Sequence, residues 1–138
     1  MILVKEAITK EEILQAIFLR RKVLVAENKY SIHEDEPDEF DLTSKIYVAK
    51  ENEKVVGTAR IRQEKNVYRI QRMAVDKNIR SCGIGSKIIN RILKDFSGYK
   101  IYLMAPKSTI SFYEQFGFNV TDITQKGKRH TYYRMQNY

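Results

Sequence analysis

The chain has 138 residues, of which 43% are hydrophobic and 30% are charged, and its 25 basic and 17 acidic residues give a formal net charge of +8. These proportions are those of an ordinary globular protein, which excludes a disordered or fibrous chain, and the length suits a single domain over residues 1–138. No apolar run approaches the roughly 20 residues that span a bilayer, so we expect no membrane-embedded segment.

The N-terminal half of the chain has the pattern of a strand, a helix and an antiparallel meander. Residues Ile2 to Ile8 suit a strand, and Thr9-Lys10-Glu11-Glu12 is a capping box that opens a helix. Apolar residues at helical spacing carry this helix to about Glu27. After an acidic segment, alternating apolar and polar residues predict three antiparallel strands, at residues 45–50, 54–62 and 67–75.

The C-terminal half begins with the strongest helical pattern in the chain. From Gly83 onward the isoleucines recur on one face of a helix, and Gly98 supplies its stop. The remaining pattern predicts a strand at 100–105, a short helix at 108–116 and closing strands at 118–124 and 129–136. We therefore expect an α/β fold with a mixed, mostly antiparallel sheet of six to seven strands and about four flanking helices.

The charges are unevenly distributed along the chain. Residues 34–41 hold six of the seventeen acidic residues and no basic one, which leaves 25 basic against 11 acidic residues, or +14, elsewhere. Pro37 and the charge density predict a loop or a short helical turn in this segment. The basic remainder suits a nucleic acid, a phosphate-bearing cofactor or a merely solvated surface, and the charge alone does not choose among them.

The few cysteines and histidines limit the chemistry further. Cys82 is the only cysteine, which excludes an intrachain disulfide and a cysteine-rich zinc site. Since only His33 and His130 could join it, we expect no metal. Lys5 and Glu6 interrupt the apolar start of the chain, so we predict no signal peptide and expect a cytoplasmic protein.

The segment between the third meander strand and the strongest helix has the pattern of a phosphate site. Gly83 and Gly85 allow a ligand to approach the backbone closely, and the first helical turn offers unpaired N–H groups at the positive end of the helix dipole. A dinucleotide fingerprint would need a glycine where Ile88 stands, and the Gly-Lys-Ser/Thr of a Walker loop is absent. A pyrophosphate site and a tight strand-to-helix turn both stay open.

Two motifs resemble those of the GNAT acetyltransferases. Arg80-Ser81-Cys82-Gly83-Ile84-Gly85 is similar to the family's Arg/Gln-x-x-Gly-x-Gly/Ala acyl-CoA signature, and Phe112-Tyr113-Glu114-Gln115-Phe116-Gly117-Phe118 resembles its Phe-Tyr-Glu-x-x-Gly-Phe segment. The predicted strand order resembles the GNAT fold over essentially the whole chain. The acidic segment and His130 further resemble a subgroup of small bacterial GNAT proteins whose substrates are often unassigned.

The resemblance implies an N-acetyltransferase that uses acetyl-CoA. The enzyme would transfer the acetyl group to a primary amine of an unidentified small molecule or protein, by direct attack in a ternary complex. The backbone amides of residues 80–85 would hold the pyrophosphate, and Met73 and Val75 would pair with the pantetheine arm as if it were an added strand. The residues that the resemblance assigns to acetyl-CoA are Met73, Ala74, Val75, Arg80, Ser81, Cys82, Gly83, Ile84, Gly85, Ser86, Ser108, Phe112 and Tyr113.

The resemblance also implies a catalytic acid, Tyr113, which would protonate the departing thiolate. A phenol with an ordinary pKa of about 10 suits that step, whereas a core aromatic beside Phe112 and Phe116 is the structural alternative. The general base is open, because the strand at 67–75 holds no Asp or Glu where many GNAT enzymes place one. The candidates are His130, Glu34, Asp35, Glu36, Glu39 and Asp41.

Each candidate base has a structural alternative. His130 belongs to the side-chain type that changes charge nearest neutral pH, yet it would equally suit a structural strand. The acidic segment would either draw a cationic amine toward the cleft or form a solvated loop.

The sequence also allows two further classes of function. The first is a protein that keeps the fold and binds or senses acyl-CoA without turnover. The second is a nucleic-acid binder that uses the basic and aromatic residues at 126–134, although a solvated edge strand explains them equally well and we do not expect nucleic acid as a partner. Exposed terminal strands would also allow a homodimer.

Overall fold

A computed structural model of the chain describes residues 1–27 and 37–138. The strands are β1 (Ile2–Glu6), β2 (Lys45–Glu51), β3 (Lys54–Glu64), β4 (Val67–Val75), β5 (Ile101–Pro106), β6 (Asn119–Lys126) and β7 (Thr131–Gln136). They form one seven-stranded sheet in the order β1-β2-β3-β4-β5-β7-β6, in which β4 and β5 are parallel and all other neighbours are antiparallel. The predicted mixed, mostly antiparallel sheet is confirmed.

Within residues 1–27 and 37–138, three α-helices flank the sheet: α1 (Lys10–Arg20), α2 (Ile84–Asp95) and α3 (Ile110–Glu114). The predicted capping box opens α1, with the Glu12 N–H donating to the Thr9 hydroxyl oxygen and the Thr9 N–H donating to the Glu12 carboxylate. A π-helical segment, Arg21–Glu27, continues α1, so that the helical path reaches the predicted end. With this segment counted, the helices agree with the expected number of about four. No helix in the part of the chain described here is both long and apolar enough to cross a bilayer.

Each face of the sheet carries its own apolar core because successive side chains of a strand point to opposite faces. On one face α2 buries its isoleucine stripe, Ile84, Ile88, Ile89 and Ile92, against the sheet. On the other face Ala16 and Leu19 of α1, with Val23 and Leu24 of the π-helical segment, pack on residues such as Val48. The two helices therefore hold the sheet between them.

The sheet opens at the carboxyl ends of β4 and β5. These two strands pair only from Tyr68 to Ile70 on β4 and over residues 101–103 on β5. Beyond that point β5 continues alongside β7, with Pro106 opposite Tyr132, while β4 stays with β3. A bulge accompanies the separation, since β4 has two residues, Arg72 and Met73, where β3 has Ala59 alone.

Arg72 adopts a left-handed backbone conformation, with φ of +60°, inside this bulge. Such a conformation is uncommon for a residue with a β-carbon and persists where the surroundings fix it. Here the surroundings are ionic, because Nη2 of Arg72 lies 2.8 Å from Oδ2 of Asp38. The acidic segment thus contacts the strand beside the opening.

Asp38 and Asp41 bind the described end of the acidic segment to arginines of α1 and β3. The segment forms a 3₁₀ turn at Glu39–Leu42, which agrees with the predicted short helical turn. The Arg20 guanidinium donates two hydrogen bonds of 2.8 Å to the Asp41 carboxylate, and Arg60 donates to both aspartates. Both arginine side chains are fully buried. The aspartates are therefore counter-charges for buried guanidinium groups.

Replacing Asp41 by asparagine should destabilise the fold. The substitution leaves Arg20 fully buried without its counter-charge, and breaking such a pair costs about 3 kcal/mol of unfolding free energy. Urea unfolding at neutral pH, followed by circular dichroism, measures this loss. The control is Asp122→Asn on the exposed face of β6, which should leave the unfolding midpoint unchanged. Equal midpoints for the two variants would contradict a structural role for Asp41.

The contribution of Asp41 to the unfolding free energy should also depend on pH. Burial acts to raise the pKa of this carboxyl, but hydrogen bonds and charge from Arg20 and Arg60 outweigh burial and lower the pKa from its ordinary 3.8 to about 2. Because the pKa is lower in the folded state, the stabilisation is complete above the ordinary value and is lost as the pH falls toward about 2. The difference in unfolding free energy between the wild type and Asp41→Asn should therefore shrink below about pH 4. A difference in unfolding free energy that stays constant below about pH 4 would contradict the prediction.

Candidate active site

Two cavities lie where β4 and β5 separate. The larger has a volume of about 630 Å³ and is lined by Val23, Met73, Ala74, Val75, Arg80, Gly83, Gly85, Ser86, Ser108, Thr109, Phe112, Tyr113 and Gln115. The smaller has a volume of about 170 Å³ and is lined by Leu24, Ile70, Gln71, Arg72, Met73, Leu103, Met104, Pro106, Thr109, Tyr113 and Tyr132. We call them the donor cavity and the acceptor cavity. They meet at Met73, Thr109 and Tyr113, which line both.

The wall of the donor cavity at α2 is built by a turn that ends in Gly83. Asp76 begins the turn by accepting a hydrogen bond from the Asn78 N–H at 3.0 Å, and a 3₁₀ turn at Lys77–Cys82 follows. Gly83 has φ of +71°, where glycine is favoured, and an added β-carbon there would meet no atom within 4 Å. No side chain of the described residues caps α2. The first-turn N–H groups of the helix therefore face the cavity region without a side-chain acceptor at the cap.

Gly85 brings α3 close to α2. A β-carbon at this position would lie 3.3 Å from the Phe112 ring, which is tighter than ordinary contact. The Phe112 ring in turn packs edge-on against Tyr113, with ring centroids 5.0 Å apart. The second glycine of the motif thus sets the position of the aromatic pair on α3.

The backbone of β4 forms the inner wall of the donor cavity. Past Ile70, the edge of β4 that faces β5 has no strand partner among the residues that the structure describes. On this stretch the Val75 carbonyl oxygen accepts a hydrogen bond from Nε of Arg80 at 3.1 Å. That bond holds Arg80 against the cavity wall.

The position of Tyr113 is compatible with both interpretations that the sequence allowed. Its side chain is buried in the α2-side core, where its ring packs edge-on against Phe118 at 6.4 Å between centroids. It also lines both cavities at their junction. A buried aromatic and a group that faces the site are here the same residue.

None of the candidate bases that the structure describes lines either cavity. His130 lies on the turn between β6 and β7 and lines a separate depression with Pro106, Lys107 and Ser108, so the structure does not bring it into the cavities with Tyr113. Asp41 is engaged by two arginines, and its low pKa makes it a weak base. Glu39 is exposed on the 3₁₀ turn. Glu34, Asp35 and Glu36 lie outside the described residues.

Neither cavity is lined by a carboxylate from residues 1–27 or 37–138. The sequence prediction that β4 supplies no acidic base therefore extends to the other described walls. Asp38, the acidic side chain bonded to Arg72, is partly exposed, and its pKa is lowered. Burial acts to raise that pKa, but the hydrogen bond and charge of Arg60 and the charge of Arg72 outweigh burial.

Most of the residues that the sequence assigned to the cofactor share the donor cavity. Those that line it are Met73, Ala74, Val75, Arg80, Gly83, Gly85, Ser86, Ser108, Phe112 and Tyr113. Ile84 is fully buried and Cys82 is exposed, and neither side chain lines the cavity. Sequence reasoning missed Val23, Thr109 and Gln115. Gln115 lies within the aromatic motif and Thr109 lies three residues before it, so the motif could have indicated both, but nothing local indicated Val23.

Residues 43–120, more than half of the chain, match the family model of the acetyltransferase (GNAT) domain. The chain belongs to the GNAT acetyltransferase family. This GNAT acetyltransferase is 30% identical to the uncharacterized N-acetyltransferase YjcF of Bacillus subtilis over 114 residues, which cover 80% of this chain and 81% of the relative. The resemblance inferred from the two motifs is confirmed, and the chain is an acyltransferase.

Solved structures share the fold of this GNAT acetyltransferase. Escherichia coli ElaA superposes with a TM-score of 0.88 at 20% identity, with 100% of both chains covered. An acyl-CoA N-acyltransferase from Pseudomonas aeruginosa superposes with a TM-score of 0.86 at 19% identity, with 100% of this chain and 99% of the other covered. At such identities the likeness extends to the fold and no further.

The donor used by the GNAT family is acetyl-CoA, and the donor cavity fits it. Its volume of about 630 Å³ suits a cofactor arm, and Arg80 supplies positive charge at the wall. An uncapped helix start beside a glycine with positive φ suits a pyrophosphate group. Apart from the Val75 carbonyl, which accepts from Arg80, the edge of β4 past Ile70 has no strand partner in the described part of the chain and suits the amides of an extended pantetheine chain.

Proposed function

We propose that the protein transfers an acetyl group from acetyl-CoA to a primary amine by direct attack in a ternary complex. The observation that carries this proposal is the junction of the donor and acceptor cavities at Met73, Thr109 and Tyr113. Two adjacent cavities that share these lining residues would hold the thioester and the amine at the same time, so no acylated enzyme is needed. Holding both reactants in one site turns a bimolecular step into an effectively unimolecular one.

The donor cavity would bind acetyl-CoA mainly through the backbone. The N–H groups at the start of α2 would receive the pyrophosphate, and the β4 edge at residues 73–75 would align the pantetheine arm. Bound acetyl-CoA supplies the activated acetyl group. A backbone N–H near the end of β4 would stabilise the negative charge that develops on the carbonyl oxygen.

Tyr113 would hold the proton that the departing sulfur requires. Its ring packs against Phe112 and Phe118, and the residue lines both cavities, so its hydroxyl would act where the thioester and the amine meet. A positioned acid of this kind contributes to the rate without contributing much to binding.

His130 stays a proposed base that would act through water. Ser108 lines both the donor cavity and the depression that holds His130, and it therefore marks a route from the imidazole to the site. A proton leaving the amine could follow ordered water along this route.

Substituting Gly83 by glutamate should abolish the binding of acetyl-CoA and CoA. The new carboxylate would project beside the uncapped start of α2, where it would repel the pyrophosphate, and the positive φ would strain the loop. Isothermal titration calorimetry with both ligands measures the effect. The matched control is Gly98→Glu, which places the same residue at φ of +86° with open space around it, beyond the other end of α2.

The control should retain wild-type affinity although it is similarly strained. Equal affinity of Gly83→Glu and the wild type would show that the loop is only a turn and would overturn the proposed donor site. Binding by the wild type without thiol release on any amine would instead favour the non-catalytic acyl-CoA sensor.

Substituting Tyr113 by phenylalanine should lower kcat by at least about a hundredfold, the usual contribution of a positioned acid, while the KM for acetyl-CoA changes little. The aromatic packing is kept, so the melting temperature should stay close to that of the wild type. Thiol release measures the rate, and the exposed Tyr99→Phe is the control. An unchanged kcat would mean that Tyr113 is only a core aromatic.

A further inference from the structure

Helix α1 exposes apolar side chains on the face that points away from the sheet. Phe18 is 67% exposed and is the most exposed of the six phenylalanines, and Leu14 is 53% exposed. The two residues are four positions apart, so they are neighbours on one face of the helix. Single exposed apolar residues are normal at a protein surface, whereas an adjacent pair forms a small apolar patch.

Charged side chains of opposite sign lie at the two ends of this patch. Glu11 lies one turn before Leu14, and Lys22 lies one turn after Phe18, at the start of the π-helical segment. Both charged residues are exposed. At spacings of three and four residues, Glu11, Leu14, Phe18 and Lys22 share one face of the helical path. We call these four residues the α1 stripe, and their chemistry in chain order is acid, apolar, apolar, base.

A groove beside the α1 stripe carries positive charge at its border. It has a volume of about 210 Å³ and is lined by Gln15, Phe18, Leu19, Lys22, Lys54, Val55 and Asp76. Asp76 is buried, so the exposed charges of this lining are the two lysines. Nε2 of Gln15 donates to Oε1 of Glu11 at 3.3 Å, which places the groove on the side of the stripe where Glu11 lies.

We propose that a second copy of this chain packs on the α1 stripe, with the two α1 helices antiparallel about a two-fold axis level with residue 16. Positions 14 and 18 are equally far from residue 16, so Leu14 of one copy meets Phe18 of the other. In the same arrangement Glu11 of each copy approaches Lys22 of the other. The stripe is thus complementary to itself, as a two-fold interface between identical chains requires.

The order of the charges selects this arrangement among the alternatives. In a parallel pair, Glu11 would face Glu11 and Lys22 would face Lys22, and the like charges would repel. In the antiparallel pair, Glu11 arrives at the groove side of the other copy, where Lys54 adds a second positive charge. The apolar patch alone would suit any apolar partner, whereas an acid at one end and a base at the other suit a second copy.

The interface is small, so the dimer should form reversibly. Helix α1 has 11 residues and is therefore about 16 Å long. Stable interfaces usually bury roughly 1,200–2,000 Å² in total, more than two such helices provide without the groove wall at Lys54 and Val55. We therefore expect a dissociation constant in the micromolar range, where monomer and dimer are both populated.

The interface would lie beside the active site without entering it. Val23 follows Lys22 in the chain and lines the donor cavity, and Leu24 lines the acceptor cavity. No residue of the α1 stripe lines either cavity. Dimerisation therefore goes beyond the proposed acetyl transfer, and its test does not depend on activity.

Sedimentation velocity of the full chain, from low to high micromolar concentration, measures the association directly. We expect the mean mass of the wild type to rise with concentration from that of one chain toward that of two. Phe18→Gln should weaken the dimer by about tenfold or more, because it removes a central apolar contact from both copies. The matched control is Ile123→Gln, which makes a similar change at an exposed apolar residue of β6 and should leave the association unchanged.

Charge reversal tests the antiparallel arrangement itself. Glu11→Lys and Lys22→Glu should each weaken the dimer by about tenfold, because each variant places like charges at both ends of the interface. An equimolar mixture of the two variants should associate as the wild type does, since each supplies the charge that the other lacks. Circular dichroism should match the wild type for both variants, because both side chains are exposed.

The outcomes separate this inference from the proposed function. A wild type that stays monomeric over the whole range overturns the inference, and so does a dimer that Phe18→Gln leaves intact. If Ile123→Gln weakens the dimer instead, the copies associate through the terminal strands and the inference is wrong. Failure of the mixed charge variants to associate overturns the antiparallel arrangement and the inference with it. The proposed function is judged separately, by acetyl-CoA binding and thiol release.

Discussion

The short pairing of β4 with β5 is the constraint on which the rest of the molecule depends. The two strands share a register only over residues 68–70 and 101–103, and then β5 follows β7 while β4 follows β3. A sheet that continued to pair here would have no room for a ligand. Because it does not, the backbone of β4 keeps groups that a ligand can satisfy, and Tyr113 gains access to both sides of the opening.

The ionic cluster of Arg20, Arg60, Arg72, Asp38 and Asp41 lies beside this separation, and its burial has a cost in free energy. Burying guanidinium groups is unfavourable unless each has a carboxylate in good geometry, and replacing such pairs by apolar residues often stabilises a protein. The cluster nevertheless places Asp38 against Arg72 in the bulge and Arg60 against Gln71 in the acceptor wall. Its position indicates a role in shaping the site rather than in stability alone. For the acidic segment the sequence left open a solvated loop or attraction of a cationic amine; its described residues Asp38 and Asp41 neutralise arginines of the same chain.

The two cavities differ in how their specificity arises. The donor cavity is formed largely by backbone groups, a helix start and glycines, which suit a pyrophosphate and an extended chain. The acceptor cavity is formed by side chains from the π-helical segment, β4, β5 and β7, and these side chains can change without altering the fold. A scaffold of this kind can keep one donor and change its acceptor.

The sequence by itself determined most of the helices and strands and predicted the residues of the proposed donor site. The capping box at Thr9, the isoleucine period of α2 and the two glycines are local signals, because residues close in the chain fix a helix start or a turn whatever surrounds them. These signals predicted the helices and a candidate phosphate loop, and the family followed from the resemblance of two motifs to those of GNAT enzymes. The placement of Tyr113 followed from the same kind of motif.

Only the tertiary structure decided the acceptor side. Asp41 lies 19 residues from Arg60 in the chain, and Gln71 is turned by an arginine from another strand, so neither role leaves a local pattern. His130, a candidate base from its residue type, is carried by the β6–β7 turn to a neighbouring depression. Charge compensation and side-chain orientation depend on which residues meet across the sheet. Those contacts depend on the bulge in β4 and on the separation of β4 from β5. No periodic pattern in the sequence indicates either feature.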